Sequence, residues 1–242
     1  MTKICLIQMD DRISLDYLLL TQSVNKKICK IFNYDYIFID TSKIYINLDP
    51  KLRKITVIND FINNYKNYDI LIFLDSDAWV NNGYSLNTIV NHLINDNTKL
   101  GCYSRDPILV FNTYINSGAF ILKINDESRQ MYKDIIMFVN NNPKFITHIH
   151  PFYDQPSISH YVFNNKDKFL IFNVEIFNTP IGSVIRHNWH KNKLMFDDLN
   201  KLLEILDNDN YESYNTEFDI QKNLDTNDFP NKRNLESYAY LK

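Results

Sequence analysis

The feature that most constrains the fold is an uninterrupted apolar run, residues 70–74, which ends directly in Asp75-Ser76-Asp77. A strand that is apolar on both faces is typical of the centre of a parallel sheet covered by helices on both sides. The run therefore predicts an α/β fold. Open α/β sheets bind ligands beyond the carboxyl ends of their strands, and the two carboxylates stand at such an end.

The flanking segments have the spacing that this fold requires. Residues 3–9 and 36–39 read as strands with a helical face between them, and residues 51–65 read as a helix. We predict a mixed, mostly parallel sheet flanked by helices in residues 1–195, followed by a helical or irregular extension in residues 196–242. The shorter strands are expected at 108–111, 119–122, 169–172 and 184–186, and the other helices at 88–94, 127–139 and 201–206.

Composition excludes several classes of function. The net charge is −3 at pH 7, so nothing in the totals favours a nucleic-acid partner. The three cysteines are far apart, which argues against a zinc cluster or a disulfide framework. No segment is long enough to cross a bilayer, so we expect a soluble, cytoplasmic protein. Heavy use of Asn, Ile, Lys, Tyr and Phe is typical of an AT-rich genome, such as that of a large virus or a protist.

The chemistry is expected to centre on the paired aspartates. With 4 glycines in the chain there is no Gly-rich loop to cradle phosphates, and paired carboxylates instead suit a hard divalent cation that bridges a diphosphate. The simpler alternative is that Asp75 caps a turn and Asp77 is solvated. A third ligand would be a histidine, with His187 and His190 as alternatives and the alternating pair His148 and His150 as a weaker one.

Two further segments each allow a structural and a functional interpretation. Asp154-Gln155 either begins a helix, with Asp154 as its N-cap, or forms part of a functional loop. Asn116-Ser117-Gly118 either makes an ordinary turn between two strands or contacts a sugar. The basic residues of segment 51–54 open a helix, where cations are disfavoured, and are either solvated or opposite an anionic ligand.

In combination these residues resemble the GT-A-fold retaining glycosyltransferases, specifically the family of fungal α-galactosyltransferases and plant xyloglucan xylosyltransferases. The likeness spans residues 3–195 and rests on motifs in the right order. They are Asn25-Lys26-Lys27 with Asn33-Tyr34-Asp35, Lys54, Asp75-Ser76-Asp77-Ala78, Asn116-Ser117-Gly118-Ala119-Phe120, Asp154-Gln155, and His187 with Lys193.

The resemblance implies a site and a reaction. Asp75, Asp77 and His187 would hold Mn²⁺ or Mg²⁺. The donor would be a nucleotide-diphosphate sugar, with a UDP-sugar carrying a hexose or pentose as the expected one, and the acceptor a hydroxyl of a glycan, glycoside or glycoprotein. The implied catalytic group comprises Asp154, Gln155 and Asn116. The implied donor-binding group comprises Gln8 and Asp10 near the base and ribose, Lys54 and Lys193 at the phosphates, and Ser76, Ser117 and Gly118.

Two alternative functions remain open at this stage. A phosphatase of the haloacid-dehalogenase type also ends a strand in Asp-x-Asp, although Trp79 stands where such enzymes usually carry Thr or Val. A non-catalytic glycan-binding module would share the fold without the activity, because fold alone does not fix function.

Overall fold

The architecture is built around a six-stranded mixed sheet that helices cover on both faces. A computed structural model describes residues 2–106, 113–142, 154–188, 194–208 and 210–226. Within these ranges the main sheet has six strands in the order β2-β1-β3-β6-β5-β7. Their bounds are β1 Ile4–Asp10, β2 Asp35–Asp40, β3 Ile70–Asp75, β5 Gly101–Arg105, β6 Ile115–Lys123 and β7 Phe169–Phe172.

Strand direction matches the predicted, mostly parallel sheet. Strand β1 pairs in parallel with both β2 and β3, and β5 pairs in parallel with β7. Strand β6 is antiparallel to its neighbours β3 and β5. A second sheet of two antiparallel strands joins β4, Ala78–Val80, to β8, Ile185–His187.

Helices cover the two faces of the main sheet, and the sheet separates two apolar clusters. The cluster around Leu6, Ile72 and Trp79 lies under one set of helices, and the cluster around Ile7, Phe73 and Tyr132 lies under the other. Alternation along β1 and β3 explains this division, since successive side chains point to opposite faces. The helices are α1 Asp16–Ile31, α2 Pro50–Asn64, α3 Gly83–Asn95, α4 Asp126–Asn141, α5 Asp154–Asn164, α6 Leu194–Asp207 and α7 Ile220–Asn223.

The structure excludes one of the two alternatives that the sequence left open at residues 116–118, and one predicted strand lies outside the described residues. Asn116-Ser117-Gly118 does not form a turn: all three residues lie inside β6, whose first eight residues are buried. The chain continues as a strand through all three residues. A small residue fits at position 118 because the ring of His187 lies against the strand there. The strand expected at 108–111 falls outside the described residues.

The segment after β8 packs onto the core over its described length. Helix α6 lies against α1, and Leu199, Tyr211 and Ile220 are buried. The Asp225 carboxylate pairs with Arg105 Nε at 2.6 Å, which ties this segment to the end of β5. The division at residue 195 as a domain boundary stays a prediction. Among the described helices, none is long and apolar enough to span a membrane.

Candidate metal and donor site

The turn that follows β3 presents the two aspartates, and buried donors hold its backbone. Gln8 Nε2 donates to the carbonyls of Asp75 and Ala78 at 3.0 and 3.1 Å. Thr21 Oγ1 donates to the Ser76 carbonyl at 2.8 Å, and the backbone N–H of Asn188 donates to the Asp77 carbonyl at 3.0 Å. Every carbonyl of Asp75-Ser76-Asp77-Ala78 therefore has a donor. The backbone of the turn is held in place, and with it the direction of the Asp75 and Asp77 side chains.

Behind this turn, the side-chain amides of Gln8 in β1 and Asn25 in α1 form one hydrogen-bond network. Gln8 Oε1 accepts from Asn25 Nδ2 at 3.0 Å and from the Tyr36 hydroxyl at 2.9 Å. Asn25 Oδ1 accepts from the Val80 amide at 2.9 Å. Gln8 and Asn25 have no exposed surface. Both ends of the Gln8 side-chain amide are hydrogen-bonded within the protein, and its expected place near the base and ribose of a donor stays a prediction.

The third potential ligand reaches the aspartates through the small sheet. Strand β8 pairs with β4 so that His187 stands opposite Ala78. His187 Nε2 lies 3.2 Å from Asp77 Oδ1 and 3.7 Å from Asp75 Oδ2. One ligand atom from each of the three residues lies within 4.8 Å of the others. Between His187 and His190, only His187 lies among the described residues.

Gly118 leaves the space that the His187 ring occupies. A Cβ on Gly118 would stand 2.1 Å from His187 Cε1 and 2.3 Å from its Nδ1. Such distances are far inside van der Waals contact, so no other residue fits at position 118 while the ring keeps this place. The Gly118 amide donates to Asn116 Oδ1 at 2.8 Å, which places that side chain beside the same stretch of β6.

Lys54 connects the aspartate turn to helix α5. Its Nζ lies 2.8 Å from Asp75 Oδ1 and 2.8 Å from Asp154 Oδ2. Ser117 Oγ also donates to Asp154 Oδ2, at 2.8 Å. The Asp154 carboxylate thus faces the site, where sequence alone left open whether it merely capped the helix. Of the basic segment 51–54, Arg53 pairs with Asp11 at 2.8 Å.

Burial and neighbouring charges shift the pKa values of Asp75, His187 and Lys54. Burial raises the pKa of Asp75 above its usual value, although Lys54 and His187 oppose that shift. Burial alone would lower the pKa of His187, but the carboxylates of Asp77 and Asp75 raise it overall. Burial also works against the charged form of Lys54, and Asp154 and Asp75 outweigh it, so the pKa of Lys54 is raised.

Gln155 joins the start of α5 to the neighbouring strands. Its Oε1 accepts from the Ser117 amide at 3.3 Å, and its Nε2 donates to Asp106 Oδ2 at 2.7 Å and to Thr113 Oγ1 at 2.8 Å. Gln155 is 5% exposed. Like Gln8, it holds the elements that carry the site and has little surface for a ligand.

The remaining candidates divide into those near the site and those elsewhere. Asp10, at the end of β1, pairs with Arg12 Nη2 at 2.9 Å. Burial would raise the pKa of Asp10, but hydrogen bonds from Arg12 and Ser76 lower it overall. His92 and His160 lie in helices α3 and α5. Four earlier candidates lie outside the described residues: Lys193, His190, His148 and His150.

The donor set fits a divalent cation. Carboxylate oxygens suit Mn²⁺ and Mg²⁺, and imidazole adds the nitrogen ligand that Mn²⁺ accepts in mixed sites. His187 Nδ1 is buried without a hydrogen-bond partner among the described residues, so Nε2 is the ring nitrogen that faces the carboxylates. Asp75, Asp77 and His187 are the residues that can hold such an ion.

Comparison with known proteins finds similarity in structure. No family model and no curated protein sequence matches the chain. A glycosyltransferase involved in glycosylation of the major capsid of PBCV-1 superposes with a TM-score of 0.63 at 14% identity, covering 84% of this chain and 99% of that one. GlyE of Streptococcus pneumoniae TIGR4 gives 0.54 at 13% identity, covering 88% of this chain and 64% of that one.

The galactosyltransferase LgtC, solved with donor and acceptor sugar analogs, gives a TM-score of 0.51 at 11% identity and covers 87% of this chain and 99% of that one. Likeness at such identity shows the fold. The chain has the GT-A fold, as the sequence predicted, and the described neighbours that share it are glycosyltransferases.

Proposed function

We propose that this protein is a divalent-cation-dependent glycosyltransferase that moves a sugar from a nucleotide-diphosphate donor to an acceptor hydroxyl. The observation that carries the proposal is the convergence of Asp75, Asp77 and His187 at the carboxyl end of β3 in a GT-A fold. This end of an open α/β sheet is where ligands bind. The buried supports behind the turn hold the three ligands in place for a single ion.

In the proposed reaction the bond between the anomeric carbon and the phosphate oxygen breaks, and a bond to the acceptor oxygen forms. Asp75, Asp77 and His187 would hold a Mn²⁺ or Mg²⁺ ion, which would supply positive charge and Lewis-acid character at the departing diphosphate. Lys54 adds a fixed positive charge beside Asp75. Charge that develops on the leaving group is therefore met by groups already in position, which is the principal source of catalysis in such sites.

The side of the site formed by β6 and α5 is proposed to hold the sugar. Asp154, Ser117 and Asn116 present a carboxylate, a hydroxyl and an amide near Lys54. Transfer passes through a state with positive charge on the sugar ring, which the Asp154 carboxylate stabilises. Gln155 keeps the start of α5 against β6, so its loss would move Asp154.

The donor and stereochemistry are proposed on resemblance. The motifs Asp75-Ser76-Asp77-Ala78 and Asp154-Gln155 resemble retaining enzymes, so we propose a UDP-sugar donor and retention. The acceptor oxygen then attacks the face that the diphosphate leaves, and its proton passes to a diphosphate oxygen. We propose a glycan, glycoside or glycoprotein as acceptor, in keeping with the capsid glycosylation named for one structural neighbour.

Donor hydrolysis tests the proposal directly. The protein is incubated with a panel of UDP- and GDP-sugars and Mn²⁺, with and without EDTA and simple glycoside acceptors, and free UDP or GDP is measured. We expect release from one donor that EDTA abolishes. Asp77→Asn should remove the release, whereas Asp207→Asn, which changes an exposed aspartate at the end of α6, should leave it unchanged.

A negative outcome is equally informative. If no donor is consumed and UDP with Mn²⁺ does not raise the melting temperature, the protein is not a metal-dependent transferase. Binding of glycans under the same conditions would then identify a non-catalytic module. Turnover of small phosphate esters without any sugar nucleotide would instead identify a phosphatase.

A further inference from the structure

Asn178 is a buried residue with an uncommon backbone conformation close to the proposed metal site. Its φ is 64°, in the left-handed region, and it has no exposed surface. Asparagine tolerates this region better than other residues with a side chain, but a buried one there is still uncommon. Something in the surrounding structure must therefore favour the conformation.

The Asn178 side chain holds strand β6 on both sides of Gly118. Its Nδ2 donates to the Ala119 carbonyl at 3.0 Å and to the Asn116 carbonyl at 3.4 Å. These two carbonyls bracket Ser117 and Gly118. The amide thus fixes the stretch of β6 against which the His187 ring rests.

The backbone after Asn178 holds the other side of the same histidine. The Thr179 carbonyl accepts from the His187 amide at 3.0 Å and from the Gly182 amide at 3.0 Å. Thr179 also forms an isolated parallel bridge with Arg186. The left-handed backbone at Asn178 directs the Thr179 carbonyl toward β8. Asn178 thus links the backbone of His187 to strand β6, against which the His187 ring packs.

This double link has a particular importance for His187. Metal-binding histidines usually donate their second ring nitrogen to a carboxylate or carbonyl, which sets the orientation of the ring. Here Nδ1 is buried and has no hydrogen-bond partner within the described ranges. The orientation of the ring therefore depends on packing against Gly118 and on the placement of its own backbone.

We propose that Asn178 is a positioning residue for the metal ligand His187, acting through the Thr179 carbonyl and through the β6 backbone at Gly118. The inference rests on the metal site of the proposed function. It assigns to Asn178 the orienting role that a hydrogen bond to Nδ1 performs in other metal sites. Without Asn178 the two carboxylates remain, and the imidazole no longer stays directed at the ion.

Two substitutions remove the Asn178 amide donor while the left-handed backbone stays accessible. Asn178→Gly keeps the left-handed backbone accessible and removes the amide, while Asn178→Asp keeps the shape and replaces the donor with an acceptor facing two carbonyls. Asn33 offers a matched control, because it is a second asparagine with positive φ, 55°, and follows α1. Asn33→Gly should change stability slightly and leave the metal site unaltered.

Mn²⁺ binding, followed by electron paramagnetic resonance, measures the effect without turnover. We expect both Asn178 variants to bind Mn²⁺ about 10- to 100-fold more weakly than the unmodified protein, the range known for removal of an outer-shell partner. Spin-echo modulation should detect ¹⁴N from the coordinated imidazole in the unmodified protein and in Asn33→Gly. That signal should weaken or vanish in the Asn178 variants.

The outcomes distinguish this inference from the proposed function. Folded Asn178→Gly protein that keeps full Mn²⁺ affinity and the ¹⁴N signal overturns the positioning role. If the unmodified protein binds Mn²⁺ through His187 but releases no nucleotide from any donor, the proposed function fails and the positioning role stands. If it binds no Mn²⁺ at all, both are overturned together.

Discussion

The aspartate turn lies between two layers of side chains that differ in charge and in hydrogen bonding. The layer behind it, which we term the supporting layer, consists of Gln8, Thr21, Asn25 and Tyr36. These side chains are neutral and engaged with one another and with the turn. The layer in front, the ligand layer, consists of Asp75, Asp77 and His187, which present like charges and one imidazole to a shared space.

The difference separates stability from function. Neutral buried amides with all partners in place rigidify a structure, whereas clustered carboxylates are tolerated where a cation is to be bound. We expect substitutions in the supporting layer to unfold the protein before they alter its chemistry. Substitutions in the ligand layer should do the reverse.

The largest effect is expected from Asp77→Asn in the ligand layer. Loss of a charged metal ligand should reduce EDTA-sensitive donor turnover by more than ~100-fold, beyond the effect of removing an outer-shell group. The free energy of unfolding without metal should change by about 1 kcal/mol or less, because one of several neighbouring carboxylates is neutralised. Urea unfolding and nucleotide release measure the two quantities. Near-normal turnover in folded Asp77→Asn protein would refute the metal assignment.

A smaller effect on the same layer is expected from Gly118→Ala, which displaces the His187 ring. We expect Mn²⁺ affinity to fall by about 10- to 100-fold, since the carboxylates remain but the imidazole moves. Gly101→Ala is the matched control, because a Cβ there would stand 2.6 Å from the Ile121 carbonyl, away from His187. Both variants should lose about 1–3 kcal/mol of stability from overpacking. Equal Mn²⁺ affinities in the two variants would show that Gly118 has no special relation to the histidine.

The supporting layer is tested by Asn25→Ala. It removes the donor to Gln8 Oε1 and the acceptor of the Val80 amide, and it leaves a cavity. The free energy of unfolding should fall by about 2–4 kcal/mol, the cost of unsatisfied buried groups together with lost packing. Asn87→Ala, which loses one part-buried bond from Tyr34, should cost about 1 kcal/mol. If Asn25→Ala instead abolishes turnover at unchanged stability, the division between the layers is wrong.

The two layers also differ in how far the sequence predicts them. The ligand layer carries a local signal, because Asp75 and Asp77 end an apolar strand and the predicted sheet explains their position. The supporting layer carries little, since nothing local distinguishes the buried Asn25 or Thr21 from other polar residues of an amphipathic helix. Thr21 bonds to Ser76 and Asn25 bonds to Val80, and each partner is 55 residues away in the chain. Asn25 entered the sequence prediction only through a family resemblance.

Elements set by tertiary contacts were the hardest to predict. The short strands β4 and β5 were not predicted, because Ala78–Val80 is too short to show a period and Gly101–Arg105 begins with small residues. The interpretation of Asn116-Ser117-Gly118 as a turn followed from its local composition. The glycine at position 118 has a different cause, the closeness of the His187 ring, which is far away in sequence. Asn178 gave no signal at all, since its φ cannot be read from its neighbours.

The smallest effect is expected beside the supporting layer, at the end of β1, where Asp10 meets Arg12 and Ser76. The folded protein holds the pKa of Asp10 below its unfolded value of about 3.9. The pair therefore adds stability above that pH, and the contribution disappears as the pH falls through the folded pKa.

Arg12→Ala should lower the free energy of unfolding by about 1 kcal/mol at pH 7, as expected for one charge-assisted hydrogen-bonded pair that is partly exposed. Urea unfolding at several pH values between 7 and 3 should show the difference from the unmodified protein shrinking below pH 4. Lys66→Ala, at an exposed position, should show no such convergence. A deficit for Arg12→Ala that stays constant with pH would mean that Arg12 acts by packing and that its pair with Asp10 adds no electrostatic stability.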